Sequence, residues 1–313
     1  MLSRIADSLY WLNRYMERID GILRVTSVHS NLSLDTDVTR NITWKPVLEM
    51  FTTLSSEKID SLENQSLLAL KTLLTDTGNS NSVKILVNKS RENARGIQDH
   101  ITKEVWEQVN AMYHLVNDKS VVDRIDGYQG REILEVFKKQ CVQYAGLTEI
   151  TMSRGMGWQF MNMGKFIERC LQTITLAEKN LQLLADESKE INDIIHWRYL
   201  LLSVSGYEQH LKTYHTPSVN RNVLHQVLLN ENFSRSVIYS LGKINYSLNY
   251  ITRKNTHEET SNLLRRFGRL HSKIKYMELQ NFDNRTIQPF LEETKHELLE
   301  FSTRMAQHFF SYS

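Results

Sequence analysis

SLYWLNRYMERIDGIL (Ser8–Leu23) and QFMNMGKFIERCLQTI (Gln159–Ile174) decide the architecture, because each carries a Glu-Arg pair on a helical apolar stripe. Glu17-Arg18 follows Arg14, Tyr15 and Met16; Glu168-Arg169 follows Lys165, Phe166 and Ile167, 151 residues further on. Around the first pair, Leu2, Ile5, Leu9, Leu12, Met16, Ile19 and Leu23 are spaced 3, 4, 3, 4, 3, 4. That rhythm is the seam of a long helix packed in a bundle. Met156, Phe160, Met163, Ile167, Cys170, Ile174, Ala177 and Leu181 repeat it, so Leu9 falls on Phe160 and Ile19 on Cys170.

Two further landmarks recur. Trp44 is followed 153 residues later by Trp197, and Arg95 matches Arg235 at a shift of 140. The order Glu-Arg, Trp, Arg therefore occurs twice, and the chain is expected to be an all-α helical bundle built from two tandem pseudo-repeats, 1–150 and 151–313, sharing one core. Helices are expected at about 2–29, 44–55, 64–75, 80–117, 129–150, 157–184, 190–213, 218–229, 233–253, 257–280 and 286–310, from periodicity and breakers. The polar stretch Asn31–Asn41, Asp76–Asn81 and the surroundings of Pro217 are expected as loops, and Thr151–Gly157 as the join.

Composition agrees with helices. Three prolines and twelve glycines in 313 residues are too few for the turns of an all-β protein. A chain of this length buries about 75% of its unfolded surface. The 38 basic and 36 acidic residues are interspersed, giving a net charge of +2 and no segregated basic stripe of the kind nucleic acid selects. The densest basic run, RRFGRLHSKIK (265–275), reads as a solvated helix face. Cys141 and Cys170 form no disulfide framework. No signal layout and no membrane-spanning run occurs, so a cytoplasmic location is expected.

The Glu-Arg pairs place four charges where packing does not ask for them. Adjacent helix positions point about 100° apart, so Glu17 cannot bridge Arg18. Arg14 reaches Glu17, and Lys165 reaches Glu168, at i,i+3; Arg18 and Arg169 have no carboxylate one turn upstream. Two readings stay open. The pairs hold helices in register through ion pairs, which are costly to break when buried. Alternatively Glu17, Arg18, Glu168, Arg169, Arg95 and Arg235, flanked by Arg14 and Lys165, line a cleft between the halves and clamp a carboxylate or phosphate.

Nothing else has the pattern of a catalytic or cofactor motif. Eleven histidines are scattered without metal-ligand spacing. Gly155-Met156-Gly157-Trp158 follows no strand and is no phosphate loop. No nucleophile elbow or P-loop lysine occurs. No metal and no cofactor is expected.

MLSRIADSLYWLNRYMERID (1–20) closely resembles the start of the bacterial alpha-E family, an all-helical domain named for its Glu-Arg motif. SRENARGIQDHITKEVWEQVN (90–110), GWQFMNMGKFIERC (157–170) and NFSRSV (232–237) extend the resemblance along the chain. The first motif matches at Ser3-Arg4, Tyr10-Trp11, Arg14-Tyr15 and Glu17-Arg18, the second at Gly157-Trp158, Gly164-Lys165 and Glu168-Arg169. The resemblance implies a partner, a circularly permuted ATP-grasp protein of a peptide-forming or peptide-modifying system. On that basis the chain is expected to be a non-catalytic helical partner that binds the ligase or a carboxylate-bearing peptide. The alternative is an enzyme of the same pathway, with Glu17 or Glu168 as general base.

Overall fold

The seam around Glu17 forms a single helix, α1 (Ser3–Leu32), in the computed structural model, which describes residues 2–32, 43–126, 129–186, 190–215, 219–255, 257–281 and 284–310. Fifteen α-helices and no strand occur among these residues, an all-α fold. The chain divides into two compact units, Trp11–Arg154 and Gly155–Ser313, the latter joined by Met1–Tyr10. The division falls inside the expected join, but the first ten residues group with the later unit.

In the unit Trp11–Arg154, α1 is followed by α2 (Lys45–Phe51), α3 (Ser56–Leu62), α4 (Ser66–Leu74), α5 (Val83–Gly96), α6 (Lys103–Asn117), α7 (Lys119–Asp126) and α8 (Gly130–Thr151). α5 packs on α6, α6 on α8, and α7 against α4, α6 and α8. Its core holds Ile19, Ile22, Leu23, Leu48, Leu73 and Phe137, all fully buried. The expected helix 80–117 is two helices. α5 ends at Gly96, a 3-10 turn covers Gln98–His100, and Thr102 restarts the chain as N-cap of α6 by accepting from the Val105 amide. α3 and α7 were not expected; each is too short for a clear 3.6-residue period.

The other unit contains α9 (Met156–Asp186), α10 (Glu190–Ser203), α11 (Tyr207–Thr213), α12 (Val219–Leu224), α13 (Val237–Thr252), α14 (Glu258–Lys275) and α15 (Asn284–Phe310). α9 runs through its middle, packed most extensively by α13 and next by α15, with α14 on α13 and α15. Tyr10 belongs here, its hydroxyl 2.9 Å from Ser302 Oγ and its ring 5.3 Å from Phe310. The expected helix 190–213 breaks at Ser205, whose φ of 55° is left-handed, and Gly206. Gln226 grips that corner: its Nε2 donates to the Gly206 carbonyl at 2.8 Å and its Oε1 lies 2.7 Å from His210 Nδ1. A Cβ at Gly206 would sit 2.8 Å from Gln226 Nε2 and from Phe233 Cζ, so only glycine fits. Beyond α12 the chain widens into one π-turn, His225–Leu229, which carries Gln226.

Asn31 and Leu32 continue α1 and Asp76–Asn81 is a turn, whereas the rest of the expected loop 31–41 and residues 216–218 around Pro217 lie outside the described residues. No described helix is long and apolar enough to cross a membrane.

Candidate functional site

Both Glu-Arg helices are buried on several sides, and both carry polar groups into that burial. On α1, Asn13, Arg14, Glu17, Arg24 and His29 are buried together with the seam; on α9, Gln159, Glu168, Gln172, Glu178 and Asn180 are. Charged side chains are almost never this enclosed unless partnered. The apolar stripe alone would have left one face of each helix to solvent.

In the unit Trp11–Arg154, Glu17 is 6% exposed and Arg14 7%, while Arg18 is half-buried. Arg18 Nη1 donates to Asn81 Oδ1 at 3.1 Å. Asn81 stands just before Ser82, the N-cap of α5. Its turn is tied by Asn79, whose Oδ1 accepts the Asn81 amide at 3.0 Å and whose Nδ2 donates to the Thr72 carbonyl at 3.0 Å. Arg14 lies over the Trp11 ring at 5.0 Å, and Trp11 lies 5.2 Å from Tyr15. From α8, Tyr144 donates its hydroxyl to Asn13 Oδ1 at 2.5 Å. Burial pushes the neighbouring Cys141 thiol up, and the Asp20 and Glu17 carboxylates add to it. That field disfavours a thiolate, so Cys141 is a packing residue.

The later unit repeats the arrangement. Glu168 is 5% exposed, with Lys165 and Arg169 half-buried. Arg169 Nη1 donates to the Ser234 carbonyl at 3.2 Å, and Thr173 Oγ1 to the Arg235 carbonyl at 2.9 Å. Ser234 and Arg235 stand just before Ser236, the N-cap of α13. Arg169 and Lys165 lie 5.1 and 5.6 Å from the Phe166 ring, which meets Tyr239 of α13 at 6.0 Å. In each helix, then, an enclosed Glu precedes an Arg that holds the turn leading into a serine-capped helix.

The serine caps are 154 residues apart, close to the 151 of the Glu-Arg pairs. Arg95 and Arg235, matched at a shift of 140 in the sequence, stand in different settings. Arg95 sits in the last turn of α5, its side chain 64% exposed and 3.8 Å from Glu92, whereas Arg235 is half-buried ahead of α13. Trp44 and Trp197 also differ in setting. Trp44 precedes α2, its ring 4.4 Å from His29 and its Nε1 bonded to Ser66, while Trp197 lies inside α10.

Three partners were missed. Asn81 belongs to a turn without a motif, and the Ser234 carbonyl to NFSRSV (232–237), whose backbone oxygens the sequence does not single out. Glu178 forms an ion pair with Lys295 of α15, and burial pushes its carboxyl above the usual range while Lys295 opposes the rise. Its signal was present: a carboxylate one turn from both Ile174 and Leu181 on the α9 stripe. Among the described residues no group of three or more His, Cys, Asp or Glu side chains gathers at metal-binding distance.

A family model described as a predicted alpha-helical domain with a conserved ER motif matches residues 1–310. No curated protein and no solved structure matches the chain.

Proposed function

The chain belongs to the Alpha-E family, and from that premise we propose that it is a non-catalytic helical partner of an ATP-grasp-type peptide ligase, binding the ligase or a carboxylate-bearing peptide. The reading is carried by one observation, the repeated setting of Arg18 and Arg169. Each guanidinium is held by the turn ahead of a capped helix and is half-buried beside an enclosed glutamate. A fork fixed by its neighbours loses little freedom on meeting a planar carboxylate, which favours recognition over flexible ion pairing. The similar order of elements supports an internal duplication. A long Glu-Arg helix is followed in each unit by a serine-capped helix (α5, α13), its packed neighbour (α6, α14) and a long final helix (α8, α15).

Sedimentation velocity of the protein mixed with a circularly permuted ATP-grasp protein at low salt tests the reading. A faster complex is expected, weakened about tenfold by Arg18→Gln with Arg169→Gln while helicity by circular dichroism is retained. Absence of that complex between two folded proteins, together with no binding of a carboxylate-bearing peptide, overturns it. So does catalytic turnover by this chain alone that Glu17→Gln or Glu168→Gln abolishes, which would make it an enzyme.

A further inference from the structure

Helix α13 carries two seams on opposite faces. Val237, Leu241, Ile244, Leu248 and Ile251 form the buried one, and α9 and α14 pack on the helix. Tyr239, Lys243, Tyr246, Tyr250 and Arg253 form the other, at the same spacing of 4, 3, 4, 3. Nothing covers this second seam. Tyr246 is 63% exposed, Lys243 and Arg253 are exposed, and a Cβ at the adjoining Gly242 would meet nothing within 4 Å. The charges beside it are of one sign. α13 has no Asp or Glu, and neither does α9 from Met156 to Ile167. That stretch of α9 runs antiparallel beside α13, with Phe166 against Tyr239 at 6.0 Å and Gln159 bonded to Ser247 at 3.0 Å. Lys243 Nζ lies 5.1 Å from the Tyr239 ring and Arg253 Cζ 4.1 Å from the Tyr250 ring. Neither cation makes a hydrogen bond or ion pair among the described residues, and Glu258 and Glu259, which open α14, do not pair with Arg253.

We infer that this face of α13 docks an acidic helix of a partner protein. A row at 4, 3, 4, 3 spacing is the ridge that one helix offers another, and from Tyr239 to Arg253 it runs about 21 Å. Tyrosine and arginine are the residues that protein interfaces favour. Unpaired cations of one sign, with no carboxylate among them, call for carboxylates on the partner. A second copy of the chain would instead bring like charges together. Single-stranded nucleic acid would need ring faces on which to stack, but those of Tyr239 and Tyr250 already carry a cation. The inference rests on α13 and its flank, and stands apart from what Arg18 and Arg169 hold.

Fluorescence anisotropy tests it with a labelled alanine-based helical peptide of about 20 residues, its glutamates along one face at alternating steps of three and four. Saturable binding at low salt is expected, weakened about tenfold by Lys243→Gln with Arg253→Gln and about fivefold by Tyr246→Ala, with helicity by circular dichroism retained. A peptide of the same composition with its glutamates scattered round the helix should bind about tenfold more weakly. Arg265→Gln with Arg269→Gln removes the same charge from the groove between α14 and α15 and should cost less. No binding overturns the inference, as do equal affinity for the two peptides and an equal loss in the two double variants. Binding of a labelled oligothymidylate that the one-faced peptide cannot displace overturns it in favour of nucleic acid. A concentration-dependent dimer that Tyr246→Ala abolishes overturns it in favour of self-association.

Discussion

Replacing Lys295 by methionine should destabilise the protein at neutral pH and do so less in acid. The Glu178 side chain is 4% exposed and that of Lys295 is 32% exposed. Removing one partner of a fully buried pair costs about 3–5 kcal/mol. Lys295 is partly hydrated, so about 2 kcal/mol is expected, or about 4–8 °C in Tm for a cooperative unit of this size. The pH dependence follows from burial, which already raises the Glu178 carboxyl against the pull of Lys295. A raised acid takes up its proton more readily in the folded than in the unfolded chain. The cost of its charge is therefore complete above the folded value, declines as pH falls below it, and is gone below the unfolded value. Without Lys295 the folded value climbs further, so the deficit of Lys295→Met should be smaller in mild acid than at neutral pH. Adding Glu178→Gln should recover most of the loss at neutral pH. Urea unfolding followed by far-ultraviolet circular dichroism at both pH values is the assay. A Lys295→Met protein as stable as the parent at both, or a deficit that widens in acid, refutes the reasoning.

Gly206→Ala should cost about 1–3 kcal/mol in urea unfolding, because its methyl would press on Gln226 and Phe233 at 2.8 Å and disturb the corner they hold. Burial holds the His29 imidazole down to about 4 from an ordinary 6.5, so the unfolded chain is protonated first as pH falls. Stability should be full above about 6.5 and decline towards about 4 by up to about 3 kcal/mol, and His29→Gln should flatten that profile. Asn81→Ala removes the acceptor of Arg18 and should cost about 1 kcal/mol, seen as faster amide exchange in the first turn of α5. Burial raises both cysteine thiols, so a thiol reagent should label Cys141 and Cys170 at the rate of unfolding.

The long helices were legible because an unbroken 3-4 stripe has few alternatives, and α1 and α9 end within three residues of their expected bounds. The break after Gly96 was harder. Ile97 and Ile101 continue the apolar pattern through it, and the N-cap at Thr102 was its one local mark. The corner at Ser205–Gly206 is set by Gln226, twenty residues away, and no local pattern reports such a demand. The Glu-Arg pairs could be found because four charges beside a seam are conspicuous. What Arg18 and Arg169 hold could not, since the oxygens they donate to, Asn81 Oδ1 and the Ser234 carbonyl, belong to turns whose place beside these helices no local pattern reports. The Arg95 match failed for a related reason: a shared residue type and a similar gap do not fix a position within a helix.

Grouping of Met1–Tyr10 with Gly155–Ser313 bears on how the molecule is made. A ribosome adding about 5–20 residues per second exposes Ile5, Leu9 and Tyr10 roughly 15–60 s before Ser302 emerges to receive Tyr10. During that wait the segment is an apolar stretch without its proper berth. It is also the piece that two nascent chains would exchange in a domain swap, which makes the first helical turns the place where crowded synthesis would go wrong.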